Sequence, residues 1–320
     1  MRENDLSIPT ENQQSPIATF ANALDRYVSY RSQSLSDRIS LDGDQIAERL
    51  IRHHDGTNNH IDIVIPTYKP DAGILWGLDQ LSRQHGTNFR INVFHNGIAA
   101  GSLMPDEFYT FADKAGIRID ESNAAHGVNG SKYEGARLAI NRSVANQKDN
   151  LVVIMDDDSG PIFPGWLAKA DTMFKENPNL MVMYSQLLFA DQGLDFALAL
   201  LYKASALSTQ YVLQKLGKSN HTTEGIAAYR AGFLRDLLAK TQDFTKLYGT
   251  TVRMAALQWG EVAQVFDPKM LCFIDPSRIK KNAGMLKYAF IQLMLHAPSD
   301  TLREIGDIKY KEMYSPKERA

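Results

Sequence analysis

Three consecutive carboxylates, Asp156-Asp157-Asp158, follow directly on a short apolar run, Leu151-Val152-Val153-Ile154-Met155. The run has the length and unbroken apolar character of a strand buried in a parallel sheet. Its carboxyl end is then where open α/β sheets bind ligands. Three adjacent like charges repel one another, and a divalent cation is the simplest compensation. Hard oxygen ligands suit Mg²⁺ or Mn²⁺, and such a metal usually also holds substrate phosphates. The plainer reading of the same residues is a solvated acidic turn closed by Gly160-Pro161. The apolar strand in front of them favours the metal site.

The elements that must position these carboxylates precede them in the chain. Ile61-Asp62-Ile63-Val64-Ile65-Pro66 reads as a first core strand, with Thr67-Tyr68-Lys69-Pro70 as the loop at its carboxyl end. Asp71 caps a helix reaching about Gln84. Arg90 to His95 is a second strand ending at Asn96-Gly97, and a helix from about Pro105 to Lys114 leads to a short strand, Ile117-Arg118-Ile119. Gly127-Val128-Asn129-Gly130-Ser131-Lys132 then reads as a turn opening a helix from Lys132 to about Ala145. This β-α-β-α-β-α-β alternation implies a mostly parallel sheet flanked by helices. It brings Thr67-Tyr68-Lys69, Asn96-Gly97 and the acidic triplet to one carboxyl edge. Helix amino termini bind anions well, so the edge offers hydroxyl, amide, cation and carboxylates together, as a nucleotide diphosphate requires.

Ahead of this core, Ser15-Pro16 has the form of a helix start, with Phe20, Leu24, Tyr27 and Val28 on one face, and a second helix is expected from Asp44 to about Arg52. These helices could be an extra layer, an oligomer contact or a docking surface. The expected division is an N-terminal helical extension (1–60), an α/β catalytic domain (61–275, with a nucleotide-binding half 61–167 and an acceptor half 168–275) and a C-terminal helical tail (276–320).

Composition narrows the function classes. The chain of 320 residues carries 35 Lys+Arg against 37 Asp+Glu, a balance that argues against a protein built to coat nucleic acid. The single cysteine, Cys272, lies in an apolar stretch and reads as a small core residue. A reducing, cytoplasmic compartment is expected. The polar opening Met1-Arg2-Glu3-Asn4-Asp5 is not followed by an apolar core, so no secretory leader is expected. No stretch has the ~20 uninterrupted apolar residues of a membrane span. Leu194 to Leu207, interrupted by Asp195 and Lys203, reads as a buried or groove-lining helix.

Together the core motifs resemble the family 2-like glycosyltransferases of the GT-A fold. Val64-Ile65-Pro66-Thr67-Tyr68-Lys69 resembles that family's opening strand and loop, and His95-Asn96-Gly97 its second-strand signature. Asn129-Gly130-Ser131-Lys132 with Ala136 and Asn141 is similar to its Gly-Lys-x-x-Ala-x-Asn region, and Met155-Asp156-Asp157-Asp158 to its Asp-x-Asp motif. The matched stretch runs from about 61 to 167. The resemblance implies a GT-A (Rossmann-like) fold and a metal-dependent transfer of sugar from a nucleotide-diphosphate donor to a hydroxyl of a glycan or lipid-linked acceptor. A UDP-sugar is the first expectation and a GDP-sugar the second.

Roles follow from the resemblance position by position. Pro66, Thr67 and Tyr68 would line the pocket for base and ribose. Asn96 stands where the family often has an Asp that reads the base, and its amide both donates and accepts. Lys132 would neutralise the diphosphate. Asp158 would be the better metal ligand, with Asp156 reaching the ribose or a metal-bound water and Asp157 facing away or in support. A register using Asp157 with Ser159 is the alternative. His221 could be a third metal ligand or a satisfied polar histidine. His221 to Arg230 resembles the family's Gly-x-x-x-x-Arg segment, placing Thr223 and Glu224 at the acceptor. The family's Glu-Asp pair, which supplies the catalytic base, has no counterpart here. Glu224 is the first candidate base and Asp243 the second.

Further along, Trp166 reads as core or as a sugar-stacking ring, and Met181 and Met183 as core. Glu261 to Asp267 and Lys269 to Ile274 read as closing strands. The tail from Pro276, with Arg278, Lys280, Lys281 and Lys287 among apolar residues, would either pack back on the domain or lie peripherally on an anionic membrane. Two rivals remain: a sugar nucleotidyltransferase, which needs a Gly-rich basic loop that Thr67-Tyr68-Lys69-Pro70 matches poorly, and a non-catalytic module that keeps the fold to bind glycan or partner.

Overall fold

The computed structural model describes residues 15–54, 61–98, 101–124, 126–142, 149–189, 225–241, 244, 249–265 and 267–274. Its centre is a sheet of seven strands: β1 (Ile61–Thr67), β2 (Arg90–His95), β3 (Arg118–Glu121), β4 (Leu151–Met155), β6 (Leu180–Tyr184), β8 (Ile226–Arg230) and β9 (Glu261–Gln264). Their order is β3-β2-β1-β4-β8-β6-β9. β1 pairs parallel with β2 and β4, β2 with β3, and β6 with β9; β8 alone runs against its neighbours, β4 and β6. This is a mixed, mostly parallel sheet, as the β-α alternation implies for its first four strands. A second sheet, of order β5-β10-β7, joins β5 (Ser159–Pro161), β7 (Gln186–Phe189) and β10 (Leu271–Ile274).

Helices cover both faces, which is why the central strands read as unbroken apolar runs. Along β1 and β4, Ile61, Ile63, Ile65, Leu151, Val153 and Met155 face one core, while Val64, Val152 and Ile154 face the other. The first core is closed by α1 (Pro16–Arg31), α2 (Leu35–Ile51), α3 (Ala72–Ser82), α4 (Asp106–Ala115) and α6 (Trp166–Glu176). The second is closed by α5 (Gly127–Arg142), α7 (Ala231–Lys240) and α8 (Gly249–Trp259).

The N-terminal helices form a layer over α3 and α4. The Ser15 hydroxyl accepts from the Ala18 N–H and Pro16 opens α1, as the sequence suggests. α2 starts earlier than expected: Ser34 accepts from the Asp37 N–H and donates to its carboxylate at 2.6 Å. That cap is the start signal, and Gly43 continues the helix, buried against Ile39. The layer is clipped by Asp79, 1% exposed, which takes Arg49 at 2.8 Å, Arg83 at 3.1 Å and Arg26 at 3.8 Å.

Trp166, which had a choice of roles, and Cys272, expected in the core, are both buried. Trp166 is buried and its indole N–H donates to Ser185 Oγ and to the Met270 carbonyl, so it does not stack on a sugar. Cys272 is buried, and burial pushes its thiol pKa up, away from reactivity. Met183 is buried and Met181 packs against the second core.

α5 lies so close to the sheet that a Cβ on Gly135 would come within 2.9 Å of both Phe94 Cβ and Val64 Cγ1. A glycine in a helix ordinarily costs about 1 kcal/mol relative to alanine. Here overpacking, about 1–3 kcal/mol, outweighs that gain. Gly135→Ala is therefore expected to lower the urea midpoint rather than raise it.

Among the described residues no helix is long and apolar enough to cross a membrane. The Leu194–Leu207 stretch and the basic tail from Pro276 lie outside the described residues.

Candidate active site

The carboxyl ends of β1, β2 and β4 meet as the alternation requires. Thr67, the last residue of β1, is in register with His95, the last of β2. Just past the end of β4, the turn Asp156-Asp157-Asp158 is folded back by the Ser159 N–H donating to the Asp156 carbonyl at 3.0 Å. The turn is pinned to the start of β8, because the Asp156 N–H donates to the Gly225 carbonyl at 2.9 Å and Ser159 Oγ donates to the carbonyls of both Asp156 and Gly225 at 3.0 Å.

The three carboxylates have different surroundings. Asp156 forms an ion pair with Lys132, Nζ to Oδ1 2.7 Å, the lysine side chain being 9% exposed and the carboxylate 22%. Asp157 accepts from Thr67 Oγ1 at 2.6 Å, and both residues are buried. It therefore braces the turn against β1. Asp158 is 8% exposed. The alternative register of Asp157 with Ser159 is not favoured, since Asp157 is held by Thr67 and the Ser159 hydroxyl by two carbonyls.

Lys132 reaches Asp156 from the second turn of α5, which begins at Gly127 rather than at Lys132. The glycine-rich segment is thus part of the helix. Within its first turn the Ser131 hydroxyl donates to the Gly127 carbonyl at 2.6 Å. Ser131 Oγ also accepts from the Asn96 side-chain amide, which lies 3.5 Å from the same carbonyl. The Asn96 backbone N–H donates to the Thr67 carbonyl at 3.0 Å, tying the second loop to the first.

Pro66 lies within β1 opposite Phe94. Tyr68 is 47% exposed, with the Lys69 ammonium 5.6 Å from its ring centre. Gly97 passes between the two loops: a Cβ there would overlap the Tyr68 carbonyl oxygen and lie 2.7 Å from Ser102 Cβ. His95 is fully buried, its Nδ1 3.7 Å from the Glu121 carboxylate.

Glu224, Asp243 and His221 lie outside the described residues. The segment from Gly225 to Arg230 divides between the two ends of the sheet. Gly225 touches the acidic turn, whereas Arg230 donates to Asp149 and to the carbonyls of Leu180, Phe174 and Asn177 at the far end of β8. Arg230 is accordingly a structural clasp. Residues that sequence reasoning missed include Arg253 on α8, which is 5% exposed and whose burial lowers its pKa. Gly73 and Gly77 were also missed. A Cβ on Gly73 would sit 3.4 Å from the Asp157 carbonyl oxygen and one on Gly77 2.8 Å from that of Ser159. Nothing short of the folded backbone marks those glycines as contacts.

Among the described residues no group of three or more His, Cys, Asp and Glu side chains is arranged to hold a metal by itself. Asp156 and Asp158 are the carboxylates of the turn that could join a hard cation of the Mg²⁺ or Mn²⁺ type, which is commonly held by one or two carboxylates together with substrate phosphates.

No family model matches the chain, and no curated protein matches it. Solved structures do show a likeness. The mannosyltransferase PcManGT from Pyrobaculum calidifontis, in complex with GDP-Man and Mn²⁺, is 15% identical over 87% of this chain and 74% of its own, with a TM-score of 0.44. S. aureus TarS 1-349 in complex with UDP is 13% identical over 69% of this chain, which spans 62% of that fragment, with a TM-score of 0.44. The glucosyl-3-phosphoglycerate synthase from Mycobacterium tuberculosis, with Mn²⁺, UDP and phosphoglyceric acid, is 18% identical over 68% of this chain and 72% of its own, with a TM-score of 0.36.

Proposed function

We propose that the chain is a metal-dependent glycosyltransferase that takes a sugar from a nucleotide-diphosphate donor and passes it to a hydroxyl of a glycan or lipid-linked acceptor. The observation that carries this reading is the convergence on one sheet edge of a buried lysine, three carboxylates and two polar loops, interlocked through Lys132–Asp156, Thr67–Asp157 and Asn96–Ser131.

In this reading Pro66, Thr67 and Tyr68 line the nucleoside pocket. Asn96 meets the base. Ser131 gives its proton to the Gly127 carbonyl, so its oxygen must accept, and Asn96 must turn its NH₂ toward it. The amide oxygen is then the end available to a base. An acceptor there pairs with the ring N–H of uracil or guanine and not with the corresponding bare ring nitrogen of cytosine or adenine. Asn96 thus does the work of an aspartate, in keeping with a UDP-sugar first and a GDP-sugar second.

Lys132 neutralises Asp156 in the free protein and turns part of its charge to the diphosphate when donor binds. Asp158 and Asp156 would hold Mn²⁺ or Mg²⁺, with His221 a third ligand. That cation supplies Lewis-acid stabilisation of the charge left on the departing diphosphate. Glu224, or else Asp243, takes the proton from the attacking hydroxyl.

The test is product analysis after incubation with sugar nucleotides and Mn²⁺. Release of nucleoside diphosphate from uridine or guanosine donors, and not from cytidine or adenosine donors, is expected. Pyrophosphate formed from a nucleoside triphosphate and a sugar phosphate would replace this reading with a nucleotidyltransferase. Donor binding without turnover across an acceptor panel would favour a binding module.

A further inference from the structure

We infer that Arg31, in the N-terminal helical layer, is a positioning residue of the donor site, and that this layer forms one wall of the site. The inference rests on the donor-site reading above and extends it to residues that none of the motifs covers. Arg31 closes α1, and its Nη1 lies 2.7 Å from Asp71 Oδ2. The other oxygen of the same carboxylate accepts from the Gly73 N–H at 2.8 Å and caps α3. Asp71 is also the last residue of the loop that follows Thr67. One carboxylate therefore joins α1, the amino end of α3 and the nucleoside-side loop.

The acidic turn arrives at the same spot. A Cβ built on Gly73 would stand 3.4 Å from the Asp157 carbonyl oxygen and 3.7 Å from Arg31 Nη1. The guanidinium, the helix cap and the backbone of the turn thus converge around a position that leaves little room for a side chain. α1 cannot drift away from this contact. Arg26, five residues earlier, belongs to the Asp79 cluster, Tyr27 packs edge-on against Trp76 at 5.2 Å, and Phe20 packs edge-on against Phe273 at 5.1 Å. A firmly seated helix delivers one charged group to the rim of the site.

The ion pair is partly exposed, 26% and 40% at the two side chains, and such pairs add little to folding stability. Its consequence is therefore expected in ligand binding. The experiment is a double-mutant cycle with Arg31→Ala, Asp71→Ser and the combined variant. Serine preserves the helix cap and removes the carboxylate. Titration with UDP and GDP in the presence of Mn²⁺ should show about fivefold weaker binding for Arg31→Ala, the scale of one ion pair. The double variant should be no weaker than the weaker single variant, and Arg31→Lys should recover part of the loss. Multiplying effects would overturn positioning, because they would mean that Arg31 acts on the ligand without Asp71. Unchanged binding in Arg31→Ala would overturn it outright.

If the wild-type protein binds neither nucleotide, the donor-site reading fails first. The claim about Arg31 then falls with it, whereas nucleotide binding that Arg31→Ala leaves unchanged overturns the claim about Arg31 alone.

Discussion

Lys132→Ala is expected to lower the melting temperature by about 6 °C and, at the same time, to increase the stabilisation that Mn²⁺ alone confers. The first effect follows from the ion pair. Removing one partner of a buried pair costs about 3–5 kcal/mol. With Asp156 about a fifth exposed, the lower end applies, and for a domain of this size each kcal/mol moves the midpoint by about 2 °C. The second effect follows from the triplet, in which Lys132 and a divalent cation compensate the same charge. Without the lysine, the carboxylates should hold the cation more tightly. Nucleoside diphosphate affinity should nevertheless fall, by about tenfold or more, because a charge-assisted contact to the phosphates is lost. Thermal scans with and without Mn²⁺, and calorimetry with UDP and GDP, check all three. A variant as stable as the wild type, with the same response to Mn²⁺, would mean that the Lys132–Asp156 pair is incidental.

Gly97→Ala should be the most damaging single methyl in the site. The added carbon would overlap the Tyr68 carbonyl oxygen, and its other neighbours, Ser102 Cβ and His95 Nε2, would be 2.7 and 2.8 Å away. The closest obstacle is backbone, so no rotamer change relieves it, and the Tyr68 and Asn96 loops must part. Overpacking of this kind costs about 3 kcal/mol, and a displacement near 1 Å at a site can cost about 100-fold in function. Nucleotide affinity is expected to fall by that order. Gly101→Ala is the matched control. Gly101 has φ of 70°, and a methyl added there would meet nothing within 4 Å. Its replacement should cost about 1 kcal/mol of left-handed strain and leave affinity unaltered. Equal losses in the two variants would show that the loop contact has no part in binding.

The parts of this molecule legible in the sequence are those with a local cause. The apolar runs of β1, β2 and β4 announce buried strands, Ser15-Pro16 and Asp71 announce helix starts, and the triplet falls at the strand end where the alternation puts it. The antiparallel sense of β8 was not legible, because strand direction depends on the path between β7 and β8 and not on the five residues Ile226–Arg230 themselves. Pairings across long separations were equally hidden. Thr67 and Asp157 are 90 residues apart, and a free aspartate and a brace look alike in a string of letters. The role of Lys132 was half visible: its charge pointed at the site, but its partner in the free protein is a carboxylate of the triplet. Arg230 carried no assigned role in the sequence, and the antiparallel strand places it at the end of the sheet away from the acidic turn.

The measurement that bears most directly on the donor site is thermal stabilisation by nucleoside diphosphates, with and without Mn²⁺, in the wild type and in Asp158→Asn. A ligand at a hundred times its dissociation constant contributes about 2.7 kcal/mol, which corresponds here to about 5 °C. A shift of that size is expected with UDP or GDP, dependent on Mn²⁺, and lost in Asp158→Asn when each protein is compared with its own ligand-free midpoint. No shift with any nucleoside diphosphate, or a shift that survives both removal of the metal and Asp158→Asn, would contradict the donor-site reading.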